Sequence, residues 1–338
     1  MKTVVVTGPG TTEVREVPRP VPGPADVLVR VRACGICGSD AYYIARGGIP
    51  PLEGVTPLGH EPAGEVAEVG ARVSGISLGD HVVINPIAAG SGLIGSGGPQ
   101  GALSEFLLIP EAEVGRSLAV IPDEVPFDVA ALNEPMAVAR HAVNRTGVRP
   151  GDSVVVFGAG PIGLGAVIGF KLSGAKSVVV ADIIPSRLEK ALAVGADGVV
   201  NSAEEDVVAR LTELHGAGRT AMGAPRAGTD IYLDAAGVPA VIDTALSAAK
   251  QGATLGVVAL HKEPVSIDFA EILLSEVTIV TAMGYPDEIF QVTDEIAEHW
   301  EKFARIISHR FPFADVRNAL TTAATPGAAD KVVVTFGN

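Results

Sequence analysis

Residues 153–164 read SVVVFGAGPIGL: an apolar run through Phe157, then the turn Gly158-Ala159-Gly160-Pro161-Ile162-Gly163. This stretch decides the fold. The run suits a strand, the glycines form G-x-G-x-x-G, and Leu164 to Ser173 suits a helix. The three glycines serve different ends, since Gly158 permits the tight bend, Gly160 lets the backbone approach a pyrophosphate, and Gly163 lets the helix pack closely on the strand. Pro161 and Ile162 open a helix whose positive end faces the anion. The motif alone is weak evidence, but a second strand, SVVVA, ends in Asp182, nineteen residues beyond Gly163. A carboxylate there accepts hydrogen bonds from ribose hydroxyls and repels a 2′-phosphate, so the expected ligand is NAD rather than NADP. Arg187 is the cation nearest to where a 2′-phosphate would sit. It falls several residues later, on the next helix, and is carried as a further cofactor-side candidate.

Working outward, the stretch from about Ala137 to Met283 alternates apolar strands (SVVVF, SVVVA, GVV, DIYLDAAG, ATLGVVAL, VTIVTA) with helix-like segments. Fully apolar strands interleaved with helices predict a parallel sheet covered on both faces. Upstream, from Lys2 to about Pro110, short runs such as TVVV, DVLVRVRA, GEVAEV, DHVVI and SEFLLI are separated by Gly, Pro and Asp turns. This texture predicts a compact all-β barrel or sandwich. Near the end, Asp287 to Ser308 reads as a helix whose Ile289, Val292, Ile296, Trp300, Phe303 and Ile307 share one stripe, as in any docked helix, and KVVVTF closes the chain as a strand.

At 338 residues the chain suits two domains. Its formal charge of −14 repels phosphate backbones and anionic membranes, which disfavours nucleic acid as a partner. An anionic cofactor must therefore be held by local devices such as a helix N-terminus. The two cysteines, Cys34 and Cys37, stand too close in sequence for a usual structural disulfide, and the N-terminus lacks a signal-peptide core. A cytoplasmic protein without a membrane span is expected.

A second constellation lies in the β-rich part: Cys37-Gly38-Ser39-Asp40, then Gly59-His60-Glu61, then Asn133-Glu134-Pro135. Cysteine, histidine and carboxylate are the ligand types of a catalytic zinc, which keeps one position open. The pieces lie twenty-three and seventy-four residues apart, so no periodicity unites them and the set is only compatible with a metal. Singly, Cys37 reads equally as a small core residue, His60 as a satisfied core histidine and Glu134 as a helix N-terminal acid. Cys34 and Cys37 also spell C-x-x-C, but no thioredoxin-like βαβ context surrounds them.

Together CGICGSD (34–40), LGHEPAGEVAEVG (58–70), NEPMAVARHAV (133–143) and VVVFGAGPIGLG (154–165) resemble the zinc-containing medium-chain dehydrogenase/reductase family, in order over essentially the whole chain. Within it they resemble the polyol, butanediol and threonine dehydrogenase branch, because Glu134 stands where classical alcohol dehydrogenases place a second cysteine ligand. The resemblance implies an α/β chain of two domains with a cleft between them. One is a GroES-like β-barrel catalytic domain, residues 1–136 completed by 284–338; the other is a Rossmann doubly wound parallel-sheet domain, residues 137–283. It implies one catalytic zinc held by Cys37, His60 and a third ligand, Glu134 by preference with Glu61 as the alternative. Ser39 would relay the substrate proton and Asp40 would orient His60. Residues 87–101, where many relatives carry four cysteines, contain none, so no structural zinc is expected. Where sorbitol dehydrogenases carry Arg-Tyr, this chain has Gly284-Tyr285, which makes a shorter diol, an amino alcohol or a cyclic polyol as plausible as a hexitol; Tyr43 and Tyr285 are the candidate pocket residues. The implied reaction is NAD(H)-dependent interconversion of a secondary alcohol and a ketone by a homodimer or homotetramer. The alternatives are a metal-free NADPH quinone or enone reductase and a zinc-dependent aldehyde reductase.

Overall fold

Residues 1–49 and 55–337 are described by a computed structural model. They form two units: Met1–Glu134 with Ile289–Asn338, and Pro135–Glu288.

In the first unit the strand Val27–Gly35 is the organiser. Its sequence VLVRVRACG is β-branched and apolar, and the strand is buried on both faces except at Arg30, which points to solvent, and the partly buried Arg32. It pairs antiparallel with Glu61–Val69 along one edge. Its other edge is shared by Phe106–Ile109 on the first half and Val332–Thr335 on the last. The ladder continues through His81–Ile84 to Leu118–Val120 on one side and through Val332–Thr335 to His309–Pro312 on the other. Register matters most at one place. Gly35 lies opposite both Glu61 and Val333, so three distant stretches meet at one end of this strand. Beneath them Val4, Leu58, Val66, Leu103, Leu107 and Val334 form the core, each contributing about 1.5–3 kcal/mol by leaving water. A helix not anticipated from the sequence, Gly38–Arg46, follows Val27–Gly35 after a two-residue step.

The Ile289–Phe303 helix belongs to this unit, and its Ile289, Val292, Ile296 and Phe303 are buried, as the stripe predicts. It ends five residues earlier than the pattern suggests. Backbone at His299 already departs from helical geometry (φ −129°, ψ 25°), and a 3₁₀ turn, Ala304–Ile306, takes over.

The second unit is a six-stranded parallel sheet in the order Gly198–Asn201, Ser177–Asp182, Ser153–Phe157, Ile231–Asp234, Thr254–Val257, Thr278–Thr281. Strands are added outward in one direction from Ser153–Phe157 and then in the other. That reversal makes the carboxyl ends of Ser153–Phe157 and Ile231–Asp234 the topological switch point, where doubly wound sheets bind ligands. The helices Pro161–Leu172, Pro185–Val194 and Pro239–Ala248 each begin with proline, whose fixed φ and missing N–H suit a first helical position. The central strands are buried, as their apolar runs predict, whereas the edge strand Thr278–Thr281 is largely exposed.

Candidate metal centre and cofactor turn

Cys37 is the N-cap of the Gly38–Arg46 helix, and Asp40, at the helix's third position, reaches back to accept the Cys37 N–H at 2.9 Å. The other Asp40 oxygen accepts the Gly59 N–H at 3.3 Å. Fully buried Asp40 thus ties together the two backbone segments that carry Cys37 and His60. The hydrogen bond expected between Asp40 and the imidazole is not formed: His60 Nδ1 lies 3.7 Å from Asp40 Oδ1, beyond hydrogen-bond reach though close enough for their charges to interact. Asp40 positions the histidine through backbone.

Cys37, His60 and Glu61 offer ligand atoms that all lie within 4.8 Å of one another. Glu61 takes this place because it starts the Glu61–Val69 strand opposite Gly35. A Cβ at residue 35 would lie 1.8 Å from Glu61 Oε2, so only glycine leaves room for the carboxylate. Glu134, the preferred third ligand from sequence, stands at the start of the Asn133–Arg145 helix, outside this set. It is buried, and its charge reaches both His60 and Lys331. Ser39 is half-buried two residues after Cys37, and Tyr43 packs against the first unit's core. Cys34 is a core residue whose Sγ donates to the Gly35 carbonyl; burial pushes its thiol up, away from the reactive thiolate that a redox pair needs.

Sequence reasoning missed Lys331. Its ammonium is almost completely buried, donates to the Ile36 carbonyl at 3.1 Å, and forms an ion pair with Glu61 Oε2. Burial opposes this charge, but Glu61, Cys37 and Glu134 outweigh it and hold the lysine pKa up. An overlapping set acts on His60: burial works against its cation, while Asp40, Cys37 and Glu134 together raise its pKa well above the usual range. The cluster therefore attracts positive charge. Two of its buried atoms, His60 Nδ1 and Glu61 Oε1, have no hydrogen-bond partner among the described residues, which fits a site completed by a cation. Thiolate, imidazole and carboxylate are the donor types that zinc takes.

In the second unit the glycine turn has the required shape. Gly158 has φ +94° and sits against Ala235 and Ala236; a Cβ at Gly163 would lie 1.8 Å from the Gly158 carbonyl. Beside Gly160, by contrast, a Cβ would meet nothing within 4 Å, which leaves the open approach that a pyrophosphate requires. Asp182 ends its strand as expected and accepts the Ala159 N–H at 2.7 Å and the Ile184 N–H at 2.9 Å. These bonds hold the turn and aim the carboxylate while each oxygen keeps a second lone pair. Arg187 lies half-buried in the first turn of Pro185–Val194, and Tyr285 is buried in this unit.

Comparison with known proteins agrees with both halves. Residues 23–123 match the alcohol dehydrogenase GroES-like domain, and residues 161–298 match the zinc-binding dehydrogenase domain. The chain is 30% identical to sorbitol dehydrogenase of Bos taurus over 95% of its own length and 92% of that protein's. It is also 30% identical to (R,R)-butanediol dehydrogenase of Bacillus subtilis, over 90% of each. The crystal structure of 2R,3R-butanediol dehydrogenase from Bacillus subtilis superposes with a TM-score of 0.87 at 27% identity, covering 100% of this chain and 99% of that one. The GroES-like half with its Cys37, His60 and Glu61 cluster, and the Rossmann half with its glycine turn, belong to one oxidoreductase chain, a member of the zinc-containing medium-chain dehydrogenase/reductase family in its polyol and butanediol dehydrogenase branch.

Proposed function

We propose that the protein is a zinc-dependent NAD(H) dehydrogenase that interconverts a secondary alcohol, of the diol, polyol or amino-alcohol class, with its ketone. The convergence of Cys37, His60 and Glu61 within 4.8 Å carries this reading, because a metal-free reductase has no use for a thiol beside a buried imidazole and a buried carboxylate. Sorbitol and butanediol dehydrogenases among the relatives support the substrate class. Asp182 at the strand end supports NAD over NADP.

Cys37, His60 and Glu61 would hold the zinc, with Glu61 offering Oε1 while Oε2 stays on Lys331. On this reading Glu134 acts through its charge. Asp40, Glu61, Glu134 and a Cys37 thiolate outnumber the one positive charge of Lys331, a surplus of negative charge that favours a divalent ion. Bound zinc would supply Lewis acidity: lowering a hydroxyl pKa to ~7, as for water, would ease proton loss by about 12 kcal/mol, against roughly 3–5 kcal/mol for a lone general base. The nicotinamide supplies the hydride acceptor. Ser39, whose hydroxyl both accepts and donates, takes the substrate proton and passes it on. Asp40 keeps the segments carrying Cys37 and His60 in register.

A homodimer or homotetramer is part of this proposal. Support comes from the exposed edge strand Thr278–Thr281 and the neighbouring exposed Phe269, Leu273 and Met283, an unpaired edge beside apolar surface of the kind that association covers. No helix among the described residues is long and apolar enough to cross a membrane, and we take the cytoplasm as the site of action.

The test is NAD reduction across a panel of diols, polyols and amino alcohols, with and without chelator. Turnover that chelation abolishes and zinc restores is the expected result. Purified protein with no bound metal and chelator-resistant activity would instead favour a metal-free quinone or enone reductase.

A further inference from the structure

At the switch point of the second unit, the Ile231–Asp234 strand ends in a carboxylate that is completely buried. Asp234 Oδ1 accepts the N–H groups of Ala236 and Gly237, both at 2.9 Å. Its Oδ2 holds His261 Nε2 at 2.6 Å. His261 comes four residues after the Thr254–Val257 strand, so the pair spans the carboxyl ends of two neighbouring strands. The loop after Asp234 also lies against the glycine turn, because a Cβ at Gly158 would come within 3.0 Å of Ala235.

Hydrogen bonding fixes the imidazole's tautomer. An ionised carboxylate only accepts, so Nε2 carries a proton and, in the neutral imidazole, Nδ1 is left as a bare acceptor. Nδ1 is buried and has no partner among the described residues. An orphaned buried acceptor costs stability until a donor reaches it. Direction in the sheet identifies the donor's source. The adenosine half of a dinucleotide belongs on the Ser177–Asp182 side, where Asp182 stands, so the other nucleoside belongs across the switch point, on the side of Ile231–Asp234 and Thr254–Val257.

We propose that His261, fixed by Asp234, positions the nicotinamide nucleoside half of the cofactor, with Nδ1 accepting a hydrogen bond from its carboxamide N–H or a ribose hydroxyl. This rests on the dinucleotide reading given above. Asp234 acts through His261 and is not itself in contact with the cofactor.

Calorimetric titration of wild type, His261→Ala and Asp234→Asn with NAD, ADP-ribose and ADP tests it without turnover. Asparagine keeps an oxygen for the Ala236 and Gly237 amides but donates to Nε2, which moves the imidazole proton to Nδ1 and removes the acceptor. Both variants are expected to bind NAD about three- to tenfold more weakly, the range for one lost neutral hydrogen bond, and ADP as wild type does. ADP-ribose weakened in step with NAD assigns the donor to the ribose; unchanged ADP-ribose assigns it to the carboxamide. Unchanged NAD affinity, or an equal loss for ADP, overturns the proposal, the latter by showing a merely structural role. Wild-type protein that binds neither NAD nor ADP defeats the dinucleotide reading itself, and this inference with it.

Discussion

Replacing Lys331 with methionine separates the electrostatics of the metal centre from its chemistry. The Lys331 and Glu61 side chains are 3% and 0% exposed, so the substitution leaves a buried carboxylate without its ion-pair partner. Breaking one side of such a pair costs about 3–5 kcal/mol. In a unit the size of Met1–Glu134 with Ile289–Asn338, each kcal/mol moves the melting point by roughly 2–4 °C, so metal-free Lys331→Met should melt roughly 6–20 °C below wild type. Zinc offers the stranded carboxylate a new partner, so zinc should raise the variant's melting point more than it raises that of wild type. The double variant Lys331→Met/Glu61→Gln removes both charges and should recover much of the metal-free loss. Circular-dichroism melts in chelator and in zinc measure all three. A Lys331→Met protein melting within about 1 °C of wild type in chelator, or a double variant no more stable than the single, would refute the claim that this ion pair is a strong buried interaction.

Cys37→Ala should lose bound zinc and turnover while still binding NADH, as followed by metal analysis and nucleotide fluorescence; retained turnover would remove the thiol from the metal's ligands. Asp182→Ala should narrow the preference for NAD over NADP by about tenfold or more, measured as a ratio of the two kcat/KM values, since both the ribose acceptor and the charge that repels a 2′-phosphate disappear. His215 sets an acid limit. Burial holds its pKa down to about 4 from an ordinary value near 6.5, while Thr229 Oγ1 lies 2.8 Å from its Nδ1. Below pH 6.5 the unfolded chain binds a proton that the native ring refuses, so the neutral ring's contribution is lost as pH falls from about 6.5 to about 4. His215→Gln should flatten that part of the stability profile in urea melts at pH 7 and pH 5.

The cofactor turn was legible because its information is local. Apolar Ser153–Phe157, three glycines with conformational freedom and an acid at the next strand's end act within thirty residues, and neighbours in sequence must be neighbours in space. Val27–Gly35 was likewise legible as a short β-rich run bounded by turn residues, because β-branched side chains favour extended backbone whatever they pack against. The helix Gly38–Arg46 was not legible: glycine, serine and aspartate are as common in turns as at helix starts, and Asp40's bond to Cys37, which starts the helix, cannot be told in sequence from a turn's own bond.

For the metal centre, the residues alone supplied a cysteine, a histidine and two carboxylates, with the family resemblance preferring one carboxylate over the other. Which acid sits with Cys37 and His60 depended on the register of Val27–Gly35 against Glu61–Val69 and Val332–Thr335, a property of paired strands rather than of either segment. The same register brought Lys331 to Glu61 across 270 residues, and the order of the parallel strands brought His261 to Asp234. Local conformational preference and hydrophobic period are written in contiguous residues, so the sequence by itself determined the apolar strands, the docked helix and the cofactor turn. Distances between charges follow from how finished elements pack, so only the tertiary structure decided which charges meet.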